Sequence, residues 1–504
     1  MRSSGWRQNF GYLILLCCVC SCDLQRQDYT TWEVYKGGPE SNNYSAIDQL
    51  NRSNVQNLKI AWEFYPNDAP EGFQIWKYEC NPIVVDGVMY LTSAWRWLYA
   101  VDAETGQQLW SFDPLQGKRG GGVLRGVTYW KDPESDDARI LVSARSRLFA
   151  VNAKNGQPIT EFGEGGSISL EVPQPERKEA GTVRLSTPGI IYQNLIIVGA
   201  VVSESPGAAP GPVRAFDVKD GSLVWTFNTI PKPGEFGFDT WPEDAYKTVG
   251  GANNWAGMSL DVSRGIVYVP TGSPTYDYYA ADRIGSNLFA NSLLALDAAT
   301  GKYLWHFQTV HHDLWDYDLP TAPNLVVVER DGQKIDAVAQ PTKMGFIYLL
   351  DRTTGEPLFP VEERSVPPST IPGEQAWPTQ PFPLKPQPFS RQGLSLDQLQ
   401  AHNLWFKGLF TPLGLQTTVM FPGSRGGAEW GGGAYDPETG ILYINSNDIP
   451  ELGRLEKTKV MEETVNTLYT AGEALYNMHC ASCHGSDKTG VCLLYTSPSP
   501  RDHG

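Results

Sequence analysis

Two stretches of the chain carry residue types that could do chemistry. The first is Gln308-Thr309-Val310-His311-His312-Asp313-Leu314-Trp315-Asp316-Tyr317-Asp318-Leu319-Pro320. It sets three carboxylates and two imidazoles within a few residues of one another. Oxidising an alcohol by hydride removal needs a base for the hydroxyl proton and an electron acceptor beside the carbon. A carboxylate of this segment could be that base; a polar loop with Asp at turn positions would show the same residue types. The second stretch is Cys480-Ala481-Ser482-Cys483-His484, the C-x-x-C-H pattern of covalent haem c attachment. Cys480 and Cys483 would bond the vinyl groups, and His484 would be the proximal iron ligand. The alternatives are a redox dithiol and a zinc half-site; a dithiol would need neither His484 nor the helical run 470–479 that feeds the motif. No Met follows Cys483, so the usual sixth ligand is expected in sequence beyond this chain.

The elements that must hold the first stretch are announced by a repeat. Ala100-Val101-Asp102 is followed by Thr105-Gly106 and Trp110, Ala215-Phe216-Asp217 by Gly221 and Trp225, and Ala295-Leu296-Asp297 by Thr300-Gly301 and Trp305. Weaker copies are Asn152 with Gly156, Asp351 with Gly355, and Asp436 with Gly440. In each, an alternating apolar strand ends at the acid or amide. A tight turn with a positive-φ glycine follows, and the returning strand offers a Trp to a neighbouring unit. The glycines are 50 to 85 residues apart, longer than a minimal four-stranded blade of roughly 40–45 residues. Some units therefore carry long insertions, and the Pro-rich stretch 360–391 is expected to be one of them, irregular in structure.

These repeats resemble the tryptophan-docking motifs of the PQQ-dependent quinoprotein dehydrogenases of the membrane-type glucose and alcohol dehydrogenase kind. The resemblance covers roughly residues 29 to 448. It implies an all-β fold, an eight-bladed β-propeller that is incomplete here because six copies are visible, leading into the start of an α-helical cytochrome c domain. It implies domains at 29–455 for the propeller and 465–491 for the cytochrome segment. Gln308 to Pro320 closely resembles the family's catalytic loop, which makes Asp316 the base and Asp318 a nearby carboxylate and metal ligand. PQQ is planar and carries three carboxylates, so it wants an aromatic face, cationic side chains and a hard cation on its quinone oxygens. By resemblance Trp255 of Asn253-Asn254-Trp255-Ala256 stacks on the ring, Lys343 of Thr342-Lys343-Met344-Gly345 reaches the quinone, and Arg125 contacts a carboxylate. Trp430 walls the pocket. Glu204 is the acidic ligand for Ca²⁺ or a similar hard cation. The family's Gly-Asn-Pro ligand turn reads Gly272-Ser273-Pro274 here, and Ser273 is a shorter, neutral substitute. Residues 29–455 hold no counterpart of the vicinal cysteine pair seen in some methanol dehydrogenases, since Cys80 stands alone there, which points toward sugars or polyols.

The implied function is PQQ-dependent oxidation of an alcohol, sugar or polyol by hydride transfer. Electrons would pass to haem c and on to a respiratory acceptor such as a cytochrome or quinone. Two alternatives share parts of the pattern: a non-catalytic envelope propeller scaffold, and a haem electron-transfer protein without PQQ. Glucose, other sugars, polyols and cyclic acids such as quinate all remain open as substrates.

Composition and the two ends complete the picture. The 504 residues include Gly 50, Pro 37 and Trp 16, suited to many short strands and turns. A net charge of −16 argues against nucleic acid. Residues 1–22 read as an export signal: Arg2 and Arg7, a short apolar run, then Val19-Cys20-Ser21-Cys22, which resembles a lipobox. This predicts a bacterial envelope protein on the periplasmic side, lipid-anchored through Cys22. Residues 492–504 resemble the translation of a sequencing adaptor, so the natural sequence is expected to diverge after Val491.

Overall fold

The structure is a computed structural model that describes residues 29–456, except 70–76, 119, 121, 175–176, 178–180, 206 and 402–403. The expected leader, the cytochrome segment with Cys480, Cys483 and His484, and the tail 492–504 lie outside the described residues.

The repeat folds as the turn chemistry requires. Asp102 accepts hydrogen bonds from the Thr105 amide and hydroxyl, both at 2.7 Å. Asp297 does the same with Thr300, at 2.9 and 2.7 Å. The glycine that follows turns left-handed, with φ 76° at Gly106 and 69° at Gly301, where a side chain costs about 1–2 kcal/mol. The strand before each of three turns carries the same β-bulge, at Ala100/Val101, Ala215/Phe216 and Ala295/Leu296. Four antiparallel meanders of four strands result, running within 83–112, 128–169, 190–227 and 259–308. A three-stranded sheet, Asn324–Arg330, Gln333–Pro341 and Ile347–Asp351, follows them. The remaining sheets are two-stranded. The architecture is thus all-β and propeller-like with very little helix. The described sheets do not amount to eight complete four-stranded blades.

Tryptophan docking joins successive units. A Cβ built on Gly156 would lie 2.6 Å from the Trp110 ring, one on Gly301 2.5 Å from Trp225, and one on Gly355 2.5 Å from Trp305. The indole N–H of each Trp donates to the same turn, Trp110 to the Ala153 carbonyl at 3.1 Å and Trp305 to that of Arg352 at 3.1 Å. The Trp of one repeat therefore seals the turn of the next. Gly106 receives Trp62, which the repeat pattern had not singled out. Gly221 packs on Ile168 and Phe162 instead, and nothing lies within 4 Å of a Cβ on Gly440.

The stretch 360–391 is not irregular throughout. Val361–Ser365 pairs with Thr379–Pro383 as an antiparallel hairpin. A two-stranded ribbon has free edges on both sides, so Pro381 and Pro383 need no ladder N–H there. The hairpin is bolted to the segment predicted to be catalytic. The Gln380 side chain accepts from the His311 amide at 2.8 Å and donates to its carbonyl at 2.7 Å. The largest apolar cluster lies beside this junction and contains Leu314, Trp315, Tyr317 and Leu319.

Candidate active site

The loop after strand Tyr303–Gln308 is organised by Asp313. Its carboxylate, 1% exposed, accepts from the Trp315 amide at 3.0 Å, the Tyr317 amide at 2.9 Å and the Asn291 side chain at 3.0 Å. The Ser273 hydroxyl also donates to it. The amides on both sides of Asp316 are thereby fixed. Trp315 and Tyr317 are fully buried and stack at 6.2 Å, with Phe410 edge-on to both. Between them Asp316 takes φ 54°. A non-glycine residue in that region costs free energy and persists where its surroundings over-determine it.

Lys343 closes the arrangement from the turn after strand Gln333–Pro341. Its ammonium donates to the Asp316 carbonyl at 2.9 Å, to the Asp316 carboxylate at 3.2 Å and to Asp318 at 3.1 Å. Asp318 also accepts from the Trp255 indole at 3.1 Å and the Ser273 amide at 2.5 Å. The two carboxylates, two residues apart, are pushed in opposite directions. Burial raises the Asp316 carboxyl well above the usual range; Lys343 opposes this, and Asp318, Asp277 and Glu204 reinforce it. Burial would raise Asp318 too, but Lys343 and the Ser273 amide outweigh it and hold Asp318 below its ordinary value. Divergent carboxylates of this kind separate a permanent anion from a group that exchanges protons.

Trp255 connects this acidic half to a basic and aromatic half. Its carbonyl accepts from Thr187 at 2.7 Å and Ser186 at 3.2 Å. The Arg125 guanidinium donates to the same two hydroxyls, at 3.3 and 3.0 Å. It pairs with Glu79 at 2.9 Å. It lies 5.2 Å from the Trp255 ring centroid and 5.1 Å from that of Trp430, within cation–π range of both. The Lys343 ammonium is 6.0 Å from the Trp255 ring.

Asp316, Asp318, Lys343, Trp255, Arg125 and Trp430, far apart in sequence, thus form one connected group. Ser273 joins it, but its hydroxyl is turned to Asp313 and only its amide reaches Asp318. Glu204 stands exposed at the rim, within the field of Asp318 and Lys343. No three His, Cys, Asp or Glu side chains among the described residues converge as a metal-holding group. Several residues of the site carry no assignment from the sequence, among them Glu79 beside Arg125, Asp313, Asp277 and Lys36. The place of Asp313 before an Asp-containing aromatic run marks an Asx turn, the local signal that could have found it. Asp277, four residues beyond Ser273, has its carboxyl raised well above the usual range by burial and by Glu204 and Asp318. Lys36 carries no local signal at all.

His312 supplies a pH dependence. It is 1% exposed, and its Nδ1 pairs with the Gly285 carbonyl at 2.8 Å. Burial, with Arg283 nearby, lowers the imidazole to about 4. The unfolded chain, titrating near 6.5, binds the proton first. Stability is therefore complete above about pH 6.5 and declines as pH falls toward 4, by roughly 3 kcal/mol from this residue. His306, also lowered to about 4 by burial and then by His311, acts in the same direction. Denaturant unfolding at pH 7 and pH 5 measures the slope, and His312→Asn should flatten it. An equal slope in both proteins would remove His312 as its source.

Residues 32–486 match the family described as PQQ glucose/ethanol/alcohol dehydrogenase, β-propeller domain. The quinoprotein glucose dehydrogenase of Gluconobacter oxydans is 35% identical over 84% of the chain. The glycerol dehydrogenase large subunit of the same organism is 32% identical over 86%. The chain spans 56% and 62% of the lengths of these two relatives. The crystal structure of quinohemoprotein alcohol dehydrogenase from Comamonas testosteroni superposes with TM-score 0.63 at 24% identity, covering 84% of this chain and 58% of that one. That last likeness is one of fold.

Proposed function

The chain belongs to the PQQ-binding glucose/ethanol/alcohol dehydrogenase β-propeller family, and from that premise we propose that it oxidises a CH–OH group of an alcohol, sugar or polyol by hydride transfer to PQQ, with Asp316 as the base. The observation that carries this reading is the Lys343 ammonium held on both Asp316 and Asp318 beside the Trp255 ring. A planar, anionic group fits what stands there: two indole rings with a guanidinium near both and an ammonium 6.0 Å from the centroid of one. Trp255 and Trp430 would hold its faces, while Arg125 and Lys343 would meet its carboxylate and quinone oxygens. When bound, PQQ supplies an orthoquinone that accepts the substrate's hydride.

The chain's own residues do the rest. Asp318, kept ionised by Lys343 and the Ser273 amide, fixes the Trp255 indole through its N–H. Asp313 and the buried Trp315 and Tyr317 hold Asp316 in its left-handed conformation, with its side chain 23% exposed. From there Asp316 takes the hydroxyl proton. Lys343 balances the charge that the carboxylate carries before the proton arrives and stays as donor to its backbone carbonyl afterwards.

A hard cation, Ca²⁺ or a similar one, suits the donor chemistry. Glu204, Asp277, Asp316 and Asp318 share one field against the single ammonium of Lys343. Glu204 and Asp318 would hold it, and Ser273 would contribute only if its hydroxyl left Asp313. The reading extends to the remainder of the protein: an eight-bladed propeller, haem c on Cys480 and Cys483 with His484 as axial ligand, and a respiratory cytochrome or quinone as acceptor. It also includes a periplasmic location with a lipid anchor at Cys22. The C-x-x-C-H motif is what supports the haem.

The test is reconstitution. The purified protein is loaded with PQQ and Ca²⁺, given an artificial dye acceptor, and offered glucose, glycerol, ethanol and quinate in turn. Dye reduction with at least one of them is expected. PQQ binding without turnover on any of the four would count against this reaction class.

A further inference from the structure

Lys36 is held in an unusual way. It is the middle residue of the single turn Tyr35–Gly37, its φ is 62°, and it is 4% exposed. All three ammonium protons are used: Thr321 Oγ1 accepts at 2.9 Å, the Trp430 carbonyl at 3.0 Å and the Gly431 carbonyl at 3.2 Å. Every acceptor is neutral. Among the described residues no carboxylate stands within ion-pair distance of Lys36. The charged group that acts on it is Arg125, of like sign.

The two carbonyls belong to a bulge. The strand Gly427–Asp436 pairs with Ile441–Asn447, and its register shifts between Ala428 and Gly433, leaving 429–432 outside the ladder. This bulge carries Trp430 to Arg125. Gly432, at φ 68°, lets Lys36 and Thr321 come close: a Cβ there would lie 2.1 Å from Thr321 Oγ1 and 3.0 Å from the Lys36 ammonium. An unpaired charge in such a place is unfavourable unless another group compensates it. Burial, then Arg125, lowers the Lys36 ammonium to about 7.

We propose that Lys36 is a positioning residue of the cofactor site, pinning the bulge that carries Trp430 and adding, with Arg125, a positive field that favours an anionic ligand at the Trp255–Trp430 pair. The proposal rests on the PQQ reading above. It assigns the uncompensated charge a counterpart in the carboxylates of PQQ.

The experiment is a titration of the apo protein with PQQ, followed by quenching of tryptophan fluorescence. Lys36→Met should raise the PQQ Kd at least tenfold, and Lys36→Arg should keep it within threefold of wild type. Substrate KM at saturating PQQ should be unchanged in Lys36→Met, since the effect acts on cofactor binding. Lys36→Gln, which keeps a donor for the carbonyls but no charge, should show the same loss and serves if the Met variant does not fold. Wild-type PQQ affinity in the neutral variants would overturn the role of Lys36. A wild-type protein that does not bind PQQ would instead overturn the dehydrogenase reading.

Discussion

Asp316→Asn is expected to lower kcat by about 10²–10⁴-fold, the usual contribution of a positioned general base, while leaving PQQ bound. Asn has the shape of Asp and tolerates the left-handed backbone at φ 54°. Its side-chain oxygen can still accept from Lys343, which meets the Asp316 carboxylate at 3.2 Å and its carbonyl at 2.9 Å. The loop should therefore keep its geometry, and Trp255 and Arg125 should keep theirs. Only the capacity to take a proton is removed. Steady-state dye reduction gives kcat, and fluorescence quenching of the apo variant gives the PQQ Kd. Turnover equal to wild type would take Asp316 out of the mechanism; a lost PQQ affinity would assign it to cofactor binding instead.

Asp313→Ala should have the largest effect on stability of any single change in the site. It strips the acceptor from the Trp315 and Tyr317 amides, from Asn291 and from Ser273. Asn291 is 0% exposed and Ser273 5%, so water has little access to replace it. Each buried donor left unpaired costs about 1–3 kcal/mol, and some will find new partners. A net loss of about 3–5 kcal/mol in unfolding free energy follows. The denaturant midpoint measures it. A loss below about 1 kcal/mol would show that this carboxylate is not the organiser of the loop. Because the same bonds fix the peptides flanking Asp316, turnover should fall as well even where the protein remains folded.

The two predictions separate what was legible in the chain from what was not. The Asp-x-x-Thr-Gly turns were legible because they are local: Asp297 bonds Thr300, and Gly301 takes φ 69° within a few residues. The all-β class followed from repeating that turn. The loop from His311 to Pro320 was recognisable for the same reason, its acids and imidazoles being adjacent in sequence. The hairpin within 360–391 was hidden because its prolines argue against a strand anywhere but on a free edge.

The long-range partnerships were out of reach of any such reading. Trp255, Lys343, Arg125 and Trp430 could each be named from its own neighbours. Nothing in those neighbours says that Arg125 lies beside both indoles or that Lys343 spans two carboxylates. The position of Ser273 in the turn Gly272-Ser273-Pro274 suggests its hydroxyl as a metal ligand, whereas the structure commits that hydroxyl to Asp313 and brings the backbone amide to Asp318. Lys36 meets Trp430 across 394 residues, and no periodicity connects them. Turn propensity and strand alternation are set by the few residues that share a hydrogen bond or a face. Which charge meets which is set by the packing of whole sheets, and that was decided only when the chain brought them together.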